Sequence, residues 1–90
     1  MNINKVVLSG RLTRDPEQKV TASGANMLRL SVAVNERRRN PRTEEWEDVP
    51  NYIDCTMYGS AGSSRTQWLA EHLAKGSHVT VDGKFRFSQW

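Results

Sequence analysis

Between residues 26 and 36 the side chains alternate. Leu28, Leu30, Val32 and Val34 fall on one side, and Met27, Arg29, Ser31, Ala33 and Asn35 on the other. A period of two is that of a strand with one buried face; a helix repeats its apolar stripe every 3.6 residues. The Leu/Val face has to be covered, so the rest of the chain is read for strands that cover it.

Three further segments qualify. In residues 4–12, Val6, Leu8 and Leu12 share a face with Gly10, while Lys5, Val7, Ser9 and Arg11 share the other. A glycine inside a strand predicts a bulge or sharp bend, which a small barrel needs to curl. In residues 52–59, Ile53, Cys55 and Met57 oppose Tyr52, Asp54, Thr56 and Tyr58. In residues 77–90, Val79, Val81, Phe85 and Phe87 point inward around Gly83, and Thr80, Asp82, Lys84, Arg86 and Trp90 outward.

Asp15-Pro16 and Ser23-Gly24 mark turns. Residues 37–50 have no apolar period and contain Pro41 and Pro50, so they form a long loop or an extended hairpin. Residues 60–64 are a flexible linker of small side chains. Residues 65–75 form the one helix, whose Trp68, Leu69, His72 and Leu73 stripe caps an open barrel end. Lys75 and Gly76 suit the helix C-terminus and its cap. The order β-β-β-α-β, with short strands and glycine bends, is that of a mainly β OB-fold: a small Greek-key barrel with one helix between strands 3 and 4. Ninety residues make a single domain, 1–90. A five-stranded barrel needs one strand more than these, so the last strand is expected to be absent and the open edge to pair with another copy. A core this small also gains from oligomerisation.

The net charge of +3 is unevenly spread: residues 1–43 hold nine Lys/Arg against three acids, and residues 44–54 hold five acids and no base. A concentrated basic segment fits a polyanionic partner, and equally an ordinary mixed surface. One cysteine, Cys55, excludes an internal disulfide and a cysteine-cluster metal site, in keeping with a reducing cytoplasm. Val6-Val7-Leu8 is too short an apolar run for a signal peptide, and nothing approaches a membrane span. The expected location is the cytoplasm, with no membrane partner. His72 and His78 have no second ligand at metal spacing, and Asp54 and Asp82 have no base motif beside them. With no nucleophile elbow, Walker sequence or dinucleotide fingerprint, no enzyme and no cofactor are expected.

Binding chemistry is better represented. Tyr52 and Tyr58 lie on one face about 20 Å apart, and Lys84, Arg86 and Trp90 are similarly aligned. Rings interleaved with cations on an exposed sheet suit unpaired bases, because every base has a π-face and cations take the phosphates. The competing reading packs the same rings against a partner subunit. Arg37, Arg38, Arg39 and Arg42 precede Glu44, Glu45, Glu47 and Asp48. They form either a phosphate-gripping arm or a hairpin whose legs pair weakly and stay solvated. Trp46, among the acids, either stacks on a base or anchors that hairpin.

Many short motifs in one order resemble the bacterial single-stranded DNA-binding proteins. They run from Asn4-Lys5-Val-Val-Leu-Ser-Gly-Arg-Leu-Thr-Arg-Asp-Pro-Glu17 through Ser23-Gly24, Leu30-Ser-Val-Ala-Val-Asn35, Glu45-Trp46-Glu47-Asp48 and Tyr52-Ile53-Asp54-Cys55. Tyr58-Gly59, Leu69-Ala70-Glu71-His72-Leu73-Ala74-Lys75-Gly76 and Val81-Asp82-Gly83-Lys84 continue the series. The resemblance implies an OB-fold, usually a homotetramer, that coats single-stranded DNA with little sequence preference in replication, recombination and repair. It implies stacking by Tyr52, Tyr58 and Trp90 and phosphate contacts by Lys5, Lys75 and Arg86, with Lys84 and Arg11 as neighbours. Arg38 stands where many members carry an aromatic, and a guanidinium also stacks on bases. Residues 60–65 are a few positions longer than usual. Members continue past position 90 into a hairpin, a strand and an acidic-tipped tail that recruits replication and repair proteins, so such partners are expected only with that tail. The alternatives are a primosomal relative, which generally lacks the helix, and a protein-interaction domain whose exposed rings form a subunit interface.

Overall fold

The computed structural model describes residues 1–59 and 64–86. The order is β1 (Val6–Leu12), β2 (Glu17–Val20), β3 (Asn26–Arg39), β4 (Trp46–Gly59), α1 (Arg65–His72) and β5 (His78–Gly83). β3 is the spine. It pairs with β4 without interruption from Asn26↔Gly59 to Arg39↔Trp46. Its other edge takes β2 from Glu17↔Arg29 to Val20↔Asn26, then β1 at Arg11↔Ala33 and Leu12↔Val32. β1 pairs in turn with β5, from Val6↔Gly83 to Arg11↔His78. Every pairing is antiparallel, and the path across the sheet is β4–β3–β1–β5.

Among the described residues the sheet thus has five strands, but not by the route that the sequence pattern predicts. The extra strand is β2, whose Glu-Gln-Lys-Val is exposed throughout and has no apolar period. It forms because the edge of β3 beyond β1 offers unpaired backbone groups. Among the described residues β4 and β5 do not pair, so the barrel stays open there. A groove of about 940 Å³ runs along the opening, with Val6, Leu8, Leu30, Ile53, Met57 and Val81 in its lining.

Among the apolar side chains described, only Leu12, Leu28 and Val32 are fully buried, while the other inward ones on β1, β3 and β4 are half-buried because the barrel is open. Inward and outward positions on β1 and β4 fall as the alternation predicts. On β3 the exception is Ser31, an outward position that is buried. Its carbonyl accepts the backbone N–H of Thr13 at 2.9 Å and the Thr13 hydroxyl at 3.3 Å, so the chain leaving β1 crosses over it. Gly10 makes no bulge, since β1 runs in register with β5 straight through it. It is needed for close approach: a Cβ there would collide with the Ala33 carbonyl.

Residues 37–50 are an extended hairpin. Arg37 lies opposite Asp48 and Arg38 opposite Glu47, and opposite-charge pairs support a ladder that has no apolar face. Pro50 is tolerated because β4 is an edge strand. At the tip, Asn40 N–H donates to the Glu45 carbonyl and Glu44 N–H to the Asn40 carbonyl, with Glu44 in the left-handed region at φ 61°.

The helix stops at His72, short of residue 75. Gly76 does not cap it. At φ +91° it turns the following loop, where its N–H reaches the Leu12 carbonyl at 2.8 Å and Lys75 N–H reaches Asp15 Oδ1 at 2.8 Å. The packed side of α1 is also rotated from the expected stripe. Thr66 is fully buried and Leu69, Ala70 and Leu73 are half-buried, an i, i+3, i+4, i+7 face. Gly59 makes this rotation possible, since its missing side chain leaves room for the Thr66 methyl. Trp68 and His72 therefore face solvent instead of capping the barrel. Past Gly83 the strand ends, and Phe85, expected inward, is exposed; Asn4 grips its backbone N–H at 2.9 Å and carbonyl at 2.7 Å. Phe87, Trp90 and most of the predicted 60–64 linker lie outside the described residues.

Candidate nucleic-acid interface

Because the β3–β4 ladder has no bulge, parity holds along its whole length. Trp46, Asp48, Pro50, Tyr52, Asp54, Thr56 and Tyr58 all occupy the side of β4 facing away from the core. The aromatic residues recur every six positions, so they stand about 20 Å apart along the strand. All three are well exposed, Trp46 at 60%, Tyr52 at 69% and Tyr58 at 64%. Among the described residues none of the three belongs to the core.

Neighbouring strands continue this face in rows. Tyr52 pairs with Ala33, Ala33 with Arg11, and Arg11 with His78. Tyr58 pairs with Met27 and Met27 with Lys19. The small Ala33, with the close approach at Gly10, leaves a shallow depression of about 330 Å³ bounded also by Ser9, Arg11, Asn35 and His78. Flat floor beside exposed rings is the geometry that base stacking requires.

The cations are distributed over several places. Arg37 lies with its guanidinium 5.7 Å from the Trp46 ring centroid, a cation–π contact that orients both. Arg39 forms an exposed ion pair with Glu44 at 3.7 Å. Among the described residues the guanidinium groups of Arg38 and Arg42 have no carboxylate partner. Arg38 alternates onto the opposite face of the hairpin from Arg37 and Arg39, and Arg42 sits in the loop. Arg11 donates to the Gly76 carbonyl at 3.1 Å, which brings the Lys75 turn beside the Tyr52 row. Lys5 pairs with Asp82 at 3.6 Å on the outer surface of β1 and β5. Asp54, between the two tyrosines, is matched by Arg14 at 3.9 Å. Asp54 and Asp82 thus each have a cation of their own and do not act as a carboxylate pair.

Not every candidate shares this face. Lys84 and Arg86 lie beyond β5, among the residues that line the groove. Trp90 is outside the described residues. Conversely, the face includes Arg29, opposite Thr56 and Glu17, and His78, at the end of the Tyr52 row. Arg29 is visible in the alternation of residues 26–36. His78 is found only from the register of β1 against β5. Cys55 faces the groove, half-buried, and burial followed by the neighbouring Asp54 pushes its thiol pKa up.

The model of the Single-strand binding protein family matches residues 3–90. The chain belongs to this family. It is 44% identical over 99% of its length to the single-stranded DNA-binding protein of Borreliella burgdorferi, of which it covers 56%. It is 39% identical over 99% of its length to the protein of the same name from Treponema pallidum, of which it covers 47%. The chain therefore spans about half the length of these curated relatives. Among solved structures, the SSB of Plasmodium falciparum in complex with ssDNA superposes with a TM-score of 0.76 at 26% identity, covering 93% of this chain and 71% of that one. The mainly β OB-fold expected from the sequence is the fold observed. The family match, with α1 present, favours the single-strand binding reading over the primosomal one.

Proposed function

We propose that this chain binds and coats single-stranded DNA without strong sequence preference, serving replication, recombination and repair. Bases stack on Trp46, Tyr52 and Tyr58, with Trp90 as a further stacking residue. Phosphates are taken by Arg11, Arg29, Arg37, Arg39 and Lys75 along the outer face, by Arg38 and Arg42 at the arm, and by Lys5, Lys84 and Arg86 at the margins. The observation that carries this reading is the unbroken outer face of β4, with three exposed rings at equal spacing and arginines in the adjoining rows. Stacking is indifferent to base identity, so a face built this way favours single strands over duplex and imposes little sequence choice. No catalytic step and no cofactor are part of the proposal.

The working form is a homo-oligomer, a tetramer by family resemblance, in the bacterial cytoplasm. Recruitment of replication and repair proteins belongs to a tail of the kind that relatives carry. The test is a titration of labelled oligo-dT and of a duplex of equal length, followed by anisotropy. Tight, salt-sensitive binding of oligo-dT with weak duplex binding supports the reading. Equal affinity for both, or none, overturns it.

A further inference from the structure

The exposed Trp68–His72 pair stands outside the packed face of α1. The two rings stack with centroids 4.1 Å apart and planes 14° from parallel, and His72 Nδ1 lies 2.7 Å from the Trp68 carbonyl oxygen. The helix packs through Thr66, Leu69, Ala70 and Leu73, so the pair sits on its far side, with Trp68 56% exposed. A tryptophan with one ring face covered by an imidazole and more than half of its surface exposed is a rigid platform for one more flat group. Little side-chain freedom is left to lose on stacking.

The position of α1 decides which flat group. Thr66 seats against Gly59, so the start of the helix abuts the end of β4 just past Tyr58. Tyr58 and Arg65 are both among the residues that line the groove, and Arg65 and Trp68 are i, i+3 neighbours on the helix surface. Arg65 and Trp68 thus place a cation beside an exposed ring on the helix, the same pairing of chemistries that the outer face of β4 carries. We infer that the same single strand, after leaving β4 and rounding the sheet edge, stacks a base on Trp68, with Arg65 meeting a phosphate beside it. This inference rests on the single-strand binding reading, and its occupant is nucleic acid in place of a second protein.

The test uses the full chain labelled with 5-fluorotryptophan. Its Trp68 ¹⁹F resonance is assigned by comparison with Trp68→Phe, and binding is read in parallel by anisotropy of labelled oligo-dT. The Trp68 resonance should shift on saturation with oligo-dT. Trp68→Ala should weaken binding roughly 5- to 150-fold, the range for removing one stacked base, and Trp68→Phe should recover most of it. Because Trp68 lies on the solvent side of the helix, circular dichroism of Trp68→Ala should match the parent. Normal anisotropy with an unmoved Trp68 resonance overturns the helix site and leaves the sheet reading intact. A resonance that moves with protein concentration in the absence of DNA assigns the pair to a contact between copies and overturns it as well. Absence of any binding by the parent protein removes both readings.

Discussion

Gly10→Ala is the sharpest structural perturbation the fold offers. β1 and β3 meet only at Arg11↔Ala33 and Leu12↔Val32, and Gly10 lies immediately before that contact. A Cβ at residue 10 would collide with the Ala33 carbonyl oxygen, and would lie 2.9 Å from its carbon and 3.0 Å from Val32 Cγ1. The first two obstacles are backbone, so they do not yield by a rotamer change. The strands must separate, with an overpacking cost of about 1–3 kcal/mol. Weakening one or two ladder hydrogen bonds adds about 0.5–1.5 kcal/mol each. The sum, about 1.5–6 kcal/mol, is a large part of the roughly 5–13 kcal/mol expected for ninety residues. At about 4–8 °C per kcal/mol, the melting temperature should fall by at least about 6 °C. Gly83→Ala is the control, since nothing lies within 4 Å of its would-be Cβ and it has ordinary φ; it should stay within about 1 kcal/mol of the parent. Urea denaturation of the two variants measures both numbers. If Gly10→Ala is as stable as Gly83→Ala, the close approach of β1 and β3 is wrong, and with it the row from Tyr52 to His78.

Tyr52→Ala and Tyr58→Ala should each weaken oligo-dT binding by about 1–3 kcal/mol while barely moving the denaturation midpoint, whereas Leu28→Ala, fully buried, should cost about 2–5 kcal/mol of stability; the opposite ranking would make the tyrosines structural. Replacing Arg37, Arg38, Arg39 and Arg42 together should flatten the log–log salt dependence of binding by about 0.7 for each phosphate no longer neutralised. An unchanged slope would mean that the hairpin only carries solvated charge. The raised pKa of Cys55 favours its thiol, so stability from this group is complete below the ordinary value of 9.0 and is lost as pH rises through the folded-state value. Labelling by a disulfide reagent at pH 8 should be slower than for a small free thiol and should speed up on unfolding in urea; equal rates would contradict burial of the groove.

The alternation of residues 26–36, and its counterparts in the neighbouring strands, was enough to orient β1, β4 and most of β3, because burial on one face leaves a period of two in the residues themselves. It could not reveal β2. Glu-Gln-Lys-Val has no such period and becomes a strand only because the edge of β3 is free beside it. The arm was ambiguous for a related reason: Arg37–Asp48 and Arg38–Glu47 carry its pairing by charge, which no hydropathy pattern records. Helix rotation was not legible because Trp68 is apolar and Thr66 is not, yet the notch left by Gly59 accepts a threonine methyl and not an indole. Tyr52 and Tyr58 were legible as surface rings from parity alone. That Trp46 joins them required the unbroken register, and that His78 ends the Tyr52 row required pairing between segments far apart in sequence.

Which face of the sheet meets the strand is the central question, and photo-crosslinking reads it directly. Oligonucleotides of dT carrying 5-iododeoxyuridine, irradiated in complex with the protein and digested for mass spectrometry, should give adducts on Trp46, Tyr52 and Tyr58, the exposed rings of β4. Adducts confined to the lining of the apolar groove, such as Met57 or Phe85, with none on the β4 rings, would contradict this assignment.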